Sequence, residues 1–365
     1  MVTPPSIDSL SPGQRHHQEV LQFFIDLQKS FAQATSTVDQ VQSRDYLIAG
    51  FRIRLCFAGV ALINKLTPAL AHGEVPETGE TPDLTIKIWD QASTGVSTPK
   101  PPWQDDPHAY GAHGEVQGYD SDRIRIVFNM FFDALSLLNL ERNEAIFWVR
   151  NSEKIPFWET AAPLRILLHW WLGDRGLSYV HGAVVGTDNA GALLVGKGGS
   201  GKSTTALTCL DSDLLYVGDD YCLLSAPPHP RAYSLYSSAK LKPNNNRLPH
   251  LLPLVHNQQR QPEEKLFIFL HQHFPEKIVS GLPIKLILVP QVTGQVDTEL
   301  RPVAAATALL ALAPSTIFQL PGGTSAKFQA MAALVKDTPC YTLALGTDLT
   351  QIPHVITAAL KEVAE

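Results

Sequence analysis

Residues 196–203 of this 365-residue chain read Gly-Lys-Gly-Gly-Ser-Gly-Lys-Ser and fit the pattern GxxxxGK[ST]. The apolar run Ala192–Val195 precedes this stretch, and the helix-compatible run Ser203–Leu210 follows it. A strand, a glycine-rich turn and a helix in this order direct successive backbone N–H groups toward an anion. The stretch therefore predicts a phosphate-binding loop within an α/β fold. The alternative is a glycine-rich turn that carries an incidental lysine.

Each residue type in the loop has a physical role in binding a nucleoside triphosphate. Gly198, Gly199 and Gly201 are expected to adopt positive φ angles, which turn the amides inward. Lys202 is expected to reach the β- and γ-phosphates, and the Ser203 hydroxyl to ligate Mg²⁺. The sequence thus predicts ATP and Mg²⁺ as ligands, with binding residues Gly196, Lys197, Gly198, Gly199, Ser200, Gly201, Lys202, Ser203 and Thr204. For Lys197, a solvated loop lysine is the equally weighted alternative.

An acidic pair, Asp219 and Asp220, follows the apolar run Leu214–Val217 and lies 17 positions after Lys202. Phosphate-loop proteins hold their metal with an aspartate at the end of such a strand. Two neighbouring carboxylates permit a division of labour, in which one completes the Mg²⁺ shell and the other accepts a proton from an attacking hydroxyl. A polar turn between strands is the alternative.

His181 precedes Lys202 by 21 positions, on a strand that is predicted to pair with Ala192–Val195. That pairing would bring His181 near the phosphate end of the site, where it could orient Asp219 or the γ-phosphate. A histidine with an ordinary core or edge role is the alternative. Lys240 and Lys242 are interpreted as parts of a solvated turn in preference to a substrate-anion site.

Three segments together carry a resemblance to a known family: His181-Gly182-Ala183-Val184-Val185, Gly196–Ser203, and Val217-Gly218-Asp219-Asp220. Their order and spacing resemble the core of bacterial HPr kinase/phosphorylase and of HPr-kinase-like proteins, a core related to phosphoenolpyruvate carboxykinase. The resemblance extends over residues 156–345 and is strongest over 180–225.

The resemblance implies residue roles. Asp219 would be the general base, catalytic together with Lys202 and His181, and Asp220 would bind the metal together with Ser203. The chain departs from the family at Thr204, where an acidic residue is common. A second departure is that Ser234–Leu241 stands where a glutamate-containing signature is expected. Arg301-Pro302 is a weak match to the basic loop of the family.

Composition and charge exclude several classes of function. The formal net charge is −6 and no run of five like charges occurs, which argues against nucleic-acid binding. The four cysteines form no CxxC pair, so neither a zinc ribbon nor a redox motif is indicated. Neither a signal peptide nor a bilayer-spanning apolar run is visible, and the expectation is a cytoplasmic protein without membrane contact. A homo-oligomer is compatible with the sequence.

The pattern along the chain predicts two domains. Residues 1–155 are expected to be a smaller α+β domain of unknown role, which begins with an amphipathic helix over 16–36 and has one strand over Tyr46–Phe57. Residues 156–365 are expected to be the α/β nucleotide-binding domain. In it, Pro156–Leu172 is predicted as one helix and Tyr179–Gly186 as one strand.

The favoured hypothesis is an ATP- and Mg²⁺-dependent kinase that transfers the γ-phosphoryl group to a hydroxyl, preferably a serine of a protein or peptide. A small-molecule hydroxyl is the other acceptor considered. The rival hypotheses are a nucleotide-dependent regulatory or binding module and an ATP hydrolase, in which water replaces the acceptor.

Overall fold

The computed structural model of the chain describes residues 11–106, 108–243, 246–317 and 324–364 and has a mixed α/β fold. The helices are α1 (Pro12–Ser36), α2 (Ile63–Leu66), α3 (Gln91–Thr94), α4 (Phe157–Ala161), α5 (Arg165–Gly173), α6 (Lys202–Thr208), α7 (Ala305–Ile317), α8 (Thr324–Asp337) and α9 (Gln351–Ala364). Short 3₁₀ turns cover Pro68–Gly73, Ser152–Lys154, Cys209–Asp211, Pro249–Leu254, Leu270–Gln272 and Pro275–Lys277. Within the described ranges, no helix is both long enough and apolar enough to cross a membrane.

The strands of the first half are β1 (Val41–Ile48), β2 (Phe51–Ala58), β3 (Glu74–Val75), β4 (Leu84–Asp90), β5 (Ile124–Asn129), β6 (Ala134–Asn139) and β7 (Glu144–Val149). They form one mixed sheet in the order β3-β1-β2-β4-β7-β6-β5. Helix α1 packs on one face through Val20, Phe23, Phe24 and Leu27, as its amphipathic pattern predicts. Ser11 and Gln14 form a capping box that fixes the start of this helix.

The strands of the second half are β8 (Leu177–Val180), β9 (Gly182–Thr187), β10 (Ala190–Val195), β11 (Leu215–Gly218), β12 (Cys222–Ser225), β13 (Arg231–Tyr233), β14 (Ser238–Leu241), β15 (Leu266–Phe269), β16 (Gly281–Val292), β17 (Glu299–Pro302) and β18 (Cys340–Leu345). Strands β14 and β15 pair with each other, and the remaining strands form a second large sheet.

Strand β16 organises this second sheet. Its first residues pair with β13, its middle pairs in parallel with β10, and its last residues pair in parallel with β18. One face of the sheet packs against α6 and α9, and the other against α7 and α8. Because β10 leads directly into the glycine-rich loop and then α6, the loop lies at the carboxyl end of a buried strand, where open α/β sheets bind ligands.

Three boundaries differ from those predicted. Tyr46–Phe57 is not one strand, because the hairpin β1–β2 turns at Ala49 and Gly50, which have φ angles of 50° and 87°. Two positive φ angles give the tight turn that suits paired strands. The turn was not predicted because alanine, at its first position, is not a residue typical of a positive φ. Pro156–Leu172 is broken at Leu164, which also has a positive φ of 55°.

The predicted strand Tyr179–Gly186 is also two strands. The chain leaves β8 at Val180 and enters β9 at Gly182, so that His181 lies between them. Strand β8 pairs with β12, whereas β9 pairs with β10 and β11. The break explains why the His181 side chain can leave the sheet and reach the site.

The two halves of the chain share a hydrophobic core. The indole of Trp171, on α5, packs edge-to-face on Phe51 with ring centroids 5.3 Å apart. Its Nε1 donates a hydrogen bond of 3.0 Å to Asn143 Oδ1. Tyr236 and Phe267 of the second half belong to the same cluster. The domain boundary at 155/156 remains a prediction, and this core lies across it.

We expect the halves to stay together when the peptide bond between residues 155 and 156 is absent. Co-expressed chains 1–155 and 156–365 should co-purify, because separation would expose Trp171 and its apolar neighbours. Size-exclusion chromatography measures this directly. Trp171→Ala in the split pair should weaken the association, whereas elution of two separate folded halves would show that the shared core is not needed.

Candidate functional site

The glycine-rich loop joins β10 to α6 through a backbone that requires glycine. Gly199 and Gly201 have φ angles of 86° and 111°. A Cβ at Gly201 would lie 2.5 Å from Leu345 Cδ1, so β18 packs directly against the loop at this point. The prediction of a positive φ at Gly198 is wrong: the third such glycine is Gly196, with a φ of 152°. The loop is thus held by both torsion and packing.

Lys202 is buried, with 6% of its surface exposed. Its Nζ donates hydrogen bonds to the carbonyl oxygens of Gly196, at 2.6 Å, and Lys197, at 3.3 Å. Burial lowers the pKa of the Lys202 ammonium, and the carboxylates of Asp219 and Asp220 oppose this effect. The ammonium therefore lies within the loop, where the oxygens of a bound anion could replace the two carbonyl oxygens as acceptors of its hydrogen bonds.

A pocket of about 390 Å³ opens above the loop. The loop and α6 supply Gly198, Gly199, Gly201, Lys202, Ser203 and Thr204 to its lining. Cationic side chains from other elements line it as well: Lys240, Lys242, Arg247 and Lys265. The apolar part of its wall contains Val292, Leu345, Leu349 and Ile352. This combination of cations and bare backbone suits a polyanion with an apolar end.

Some residues of the predicted loop site are outside the pocket lining. Lys197 is exposed, and its side chain does not line the pocket. Gly196 and Ser200 also lie outside the lining, although the buried Ser200 Oγ has no hydrogen-bond partner within the described residues.

Asp219 follows β11 and is almost fully buried, with 2% of its surface exposed. Neither carboxylate oxygen accepts a well-formed hydrogen bond in the part of the chain that the structure describes. Burial and the neighbouring Asp220 raise the pKa of Asp219 to about 6, and Ser203 and Lys202 are close enough to oppose this in part. A buried carboxylate whose charge is only partly offset, beside the Ser203 hydroxyl, is the arrangement that a bound cation would complete.

Asp220 differs from its neighbour in conformation and in partners. Its φ of 71° turns its side chain into the pocket that Asp219 does not line. Its Oδ2 lies 2.6 Å from Lys240 Nζ, and its Oδ1 lies 3.5 Å from His181 Nε2. Burial acts to raise the pKa of Asp220, but Lys240 and His181 outweigh it and hold the pKa well below its usual range. Asp220 is therefore ionised and fixed in position.

The position of Lys240 corrects the interpretation of this residue as part of a solvated turn. Lys240 lies on β14, opposite Phe267 of β15, and only 9% of it is exposed. Its neighbours Ala239 and Leu241 face the core, so alternation along the strand directs Lys240 to the site. That alternation, Ala-Lys-Leu-Lys over 239–242, was the sequence signal that could have revealed it. Lys242 also points to the loop, since a Cβ at Gly199 would lie 3.2 Å from its Nζ.

A second group of polar side chains lies behind this pair. The Arg165 guanidinium donates a hydrogen bond of 2.8 Å to the hydroxyl of Tyr221, whose ring lies 5.7 Å from Lys240 Nζ. Glu159 is buried nearby, and its Oε1 accepts a hydrogen bond from the backbone N–H of Leu164. Burial raises the pKa of Glu159, against the effect of Arg165 and Lys240. These contacts limit the positions that Lys240 can adopt.

The site thus brings together Lys202, Ser203, Asp219, Asp220 and His181, which come from three separate segments of the sequence. Lys240 and Lys242, which the sequence analysis assigned to a solvated turn, also line the site, and Arg247 and Lys265 are additions that sequence reasoning missed. Among the described residues, no cluster of three or more His, Cys, Asp or Glu side chains could hold a metal by itself. The oxygen donors of Ser203 and Asp219 do fit Mg²⁺, which binds few protein ligands and takes others from water and phosphate.

Comparison with known proteins adds only a distant likeness. No protein-family model matches the chain, and no curated protein matches it. Among solved structures, the HPr(Ser) kinase/phosphatase from Coxiella burnetii is similar with a TM-score of 0.28 and 10% sequence identity, over 51% of this chain and 95% of that chain. A likeness at this level identifies no family and assigns no activity.

Replacement of the two carboxylates by asparagine should have opposite effects on the stability of the ligand-free chain. Because the pKa of Asp219 is raised to about 6, the stability that its protonated form contributes is complete below about pH 4 and is lost as the pH rises through 6. At pH 7, Asp219→Asn should therefore stabilise the chain by on the order of 2 kcal/mol, with little effect at pH 4.

Asp220→Asn should instead destabilise the chain at pH 7 by about 3 kcal/mol, because Lys240 loses the charge that compensates its burial. The depressed pKa of Asp220 contributes stability above its unfolded value, and that stability is lost only as the pH falls through the folded value. Urea unfolding of both variants and the parent chain at pH 7 and pH 4 measures these changes. Shifts of the same sign at pH 7 would contradict the different environments of the two carboxylates.

Proposed function

We propose that this chain is an ATP- and Mg²⁺-dependent kinase that transfers the γ-phosphoryl group to a hydroxyl, with serine of a protein or peptide as the favoured acceptor. The observation that carries the proposal is the pairing of the glycine-rich loop with two adjacent carboxylates in different electrostatic states. One carboxylate, Asp219, is buried and its charge is only partly offset, whereas the other, Asp220, is ionised, paired with Lys240 and faces the cationic pocket. A site for anion binding alone would have no need of either carboxylate.

The pocket supports a definite orientation of the nucleotide. The triphosphate would lie on the amides of Gly198–Lys202, and the ammonium of Lys202 would leave its loop carbonyls for phosphate oxygens. Lys242 and Arg247 extend the positive charge beyond the loop. The apolar wall of Val292 and Leu349 offers a surface for the base. Positioning and charge neutralisation are the main needs of phosphoryl transfer, so few further groups are required.

The contacts of the two carboxylates support a division of roles opposite to the one that the family resemblance implies. Asp219, beside Ser203, has unpartnered oxygens and a raised pKa, which suits a metal-binding carboxylate that awaits its cation. Mg²⁺ bound there with the nucleotide would neutralise charge on the phosphates. We therefore assign metal binding to Ser203 and Asp219.

Asp220 is assigned to the acceptor side. It faces the pocket, and Lys240 and His181 fix its orientation. In the transfer, the acceptor oxygen bonds to the γ-phosphorus, the bond from the γ-phosphorus to the β–γ bridging oxygen breaks, and the hydroxyl proton passes to the Asp220 carboxylate. A carboxylate of low pKa can serve here, because the proton leaves late in a loose transition state, as with the catalytic-loop aspartate of protein kinases.

Nucleotide binding should depend on Lys202 and not on Lys197. Lys202→Ala should weaken the affinity for Mg-ATP by on the order of 100-fold, because a buried cation against phosphate is lost. Lys197→Ala is the matched control, since this loop lysine is exposed and outside the pocket. Isothermal titration calorimetry on folded variants measures both. Equal affinities for the two variants would refute the phosphate-loop assignment.

Measurements of turnover and Mg-ATP affinity should distinguish the roles of the two carboxylates. Asp220→Asn should keep Mg-ATP affinity within about threefold and lower phosphoryl transfer by on the order of 10²–10⁴, the usual contribution of a positioned base. Asparagine tolerates the left-handed backbone at position 220, so the local backbone conformation should be retained in this variant. Asp219→Asn should reduce the Mg²⁺-dependent part of nucleotide binding and turnover together.

Transfer of label from γ-labelled ATP to acceptor and to water, measured beside calorimetry, checks these expectations. If Asp219→Asn lowered only phosphoryl transfer and Asp220→Asn lowered Mg²⁺-dependent binding, the roles would be those that the family resemblance implies, with Asp219 as the base and Asp220 as the metal ligand. Binding without any turnover in the parent chain would favour a regulatory module, and label released only as phosphate would favour a hydrolase.

A further inference from the structure

A second groove adjoins the nucleotide pocket on the side of β14 and β15. It has a volume of about 320 Å³ and is lined by Phe157, Trp158, Lys240, Glu263, Glu264 and Lys265. Two of these residues, Lys240 and Lys265, also line the nucleotide pocket. The groove therefore begins at the lysine that holds Asp220 and leads away from the proposed transfer site.

Aromatic side chains from both halves of the chain continue the groove outward. The rings of Phe157 and Trp158 are 5.4 Å apart, and Trp158 lies 5.3 Å from Phe131. Phe131 is 76% exposed and its neighbour Met130 is 63% exposed, although both are large and apolar. This set, Met130, Phe131, Phe157 and Trp158, is named the aromatic strip. Exposed apolar side chains in a continuous patch commonly mark a contact surface.

The aromatic strip is presented by ordered structure. Phe131 lies in the turn between β5 and β6, where its backbone N–H donates to Asn129 Oδ1 at 3.0 Å. The same turn is tied to Arg150, directly after the end of β7, by the ion pair of Asp133 with Arg150, at 3.0 Å. At the inner end, Phe157 stacks on Phe267 with ring centroids 6.3 Å apart. The rings are thus preorganised, which reduces the entropy cost of binding a partner.

The groove also has an acidic edge. Glu263 is exposed and Glu264 is half-buried. Neither carboxylate has an ion-pair partner within the described residues, whereas Lys240 beside them is paired with Asp220. An unpaired acidic edge next to rigid aromatic rings favours a ligand that carries both a cation and an apolar side chain.

We propose that the groove and the aromatic strip form the docking surface for the acceptor, and that the acceptor is a polypeptide segment with a Lys or Arg and an aromatic or large aliphatic residue near its phosphorylated hydroxyl. The basic residue pairs with Glu263 and Glu264, and the apolar residue packs on Trp158 and Phe131. The proposal rests on the proposed kinase function and assigns the first half of the chain a part in choosing the acceptor.

Fluorescence anisotropy with three labelled peptide pools tests this surface without any turnover. Each pool has a central serine: the first has Arg and Phe in its flanks, the second Glu and Phe, and the third Arg and Gly. The parent chain should bind the first pool about tenfold more tightly than either of the others. Equal binding of the three pools would overturn the proposal and would point to a small-molecule acceptor.

Two variants locate the binding on the molecule. The double change Glu263→Lys with Glu264→Lys should reverse the preference between the first and second pools, and Phe131→Ala with Trp158→Ala should remove the advantage of the first pool over the third. Phe328→Ala, on α8 and 45% exposed, is the control for loss of an exposed ring and should change nothing. A preference that persists in both double variants would overturn the assignment to this groove.

Calorimetry with Mg-ATP on the same samples keeps the two proposals distinguishable. None of the varied residues lines the glycine-rich loop, so Mg-ATP affinity should stay within about threefold of the parent. Loss of peptide preference with intact Mg-ATP binding would overturn the docking surface alone. Peptide preference without any Mg-ATP binding in the parent chain would overturn the proposed kinase function and, with it, the acceptor role of the groove.

Discussion

The negative charges of two adjacent carboxylates at the end of a buried strand must be compensated, and this constraint determines how the site is built. Asp220 is compensated within the chain, by Lys240 from one element and His181 from another. Asp219 has the Ser203 hydroxyl and the Lys202 ammonium nearby, and its charge is only partly offset. The strand ends, the break at His181 and the pairing of β14 with β15 all serve to bring these partners to one place.

The sequence was most informative where local patterns control structure. The strand, loop and helix around residues 196–208 and the amphipathic α1 follow from spacing and residue type alone. The predicted bounds of strands and helices were wrong where a single backbone angle interrupts a pattern, as at Ala49 and Leu164. Neither residue is a glycine, and tertiary packing holds each in a conformation that its side chain disfavours.

The site itself was only partly predictable for a different reason. Residues that follow the loop within one short crossover, such as Asp219 and Asp220, can be located by counting. Lys240 reaches Asp220 across a pairing with β15, and Lys265 and Arg247 lie in segments whose course depends on that pairing. Contacts of this kind depend on the register of distant strands, which no local pattern specifies. The opposite electrostatic states of the two carboxylates likewise appear only once their neighbours are known.

The pairing of β16 has a consequence for biosynthesis. The loop at 196–203 and its strand β10 are synthesised before their parallel partner, which begins at Gly281, and Leu345, which packs against Gly201, comes later still. Parallel pairing over such sequence separations forms slowly, because the intervening chain must be ordered first. The nascent chain therefore carries a loop without its packing partner and an exposed edge of β10 until those later residues have been synthesised. An exposed strand edge of this kind makes a nascent chain prone to aggregation until its partner strand is in place.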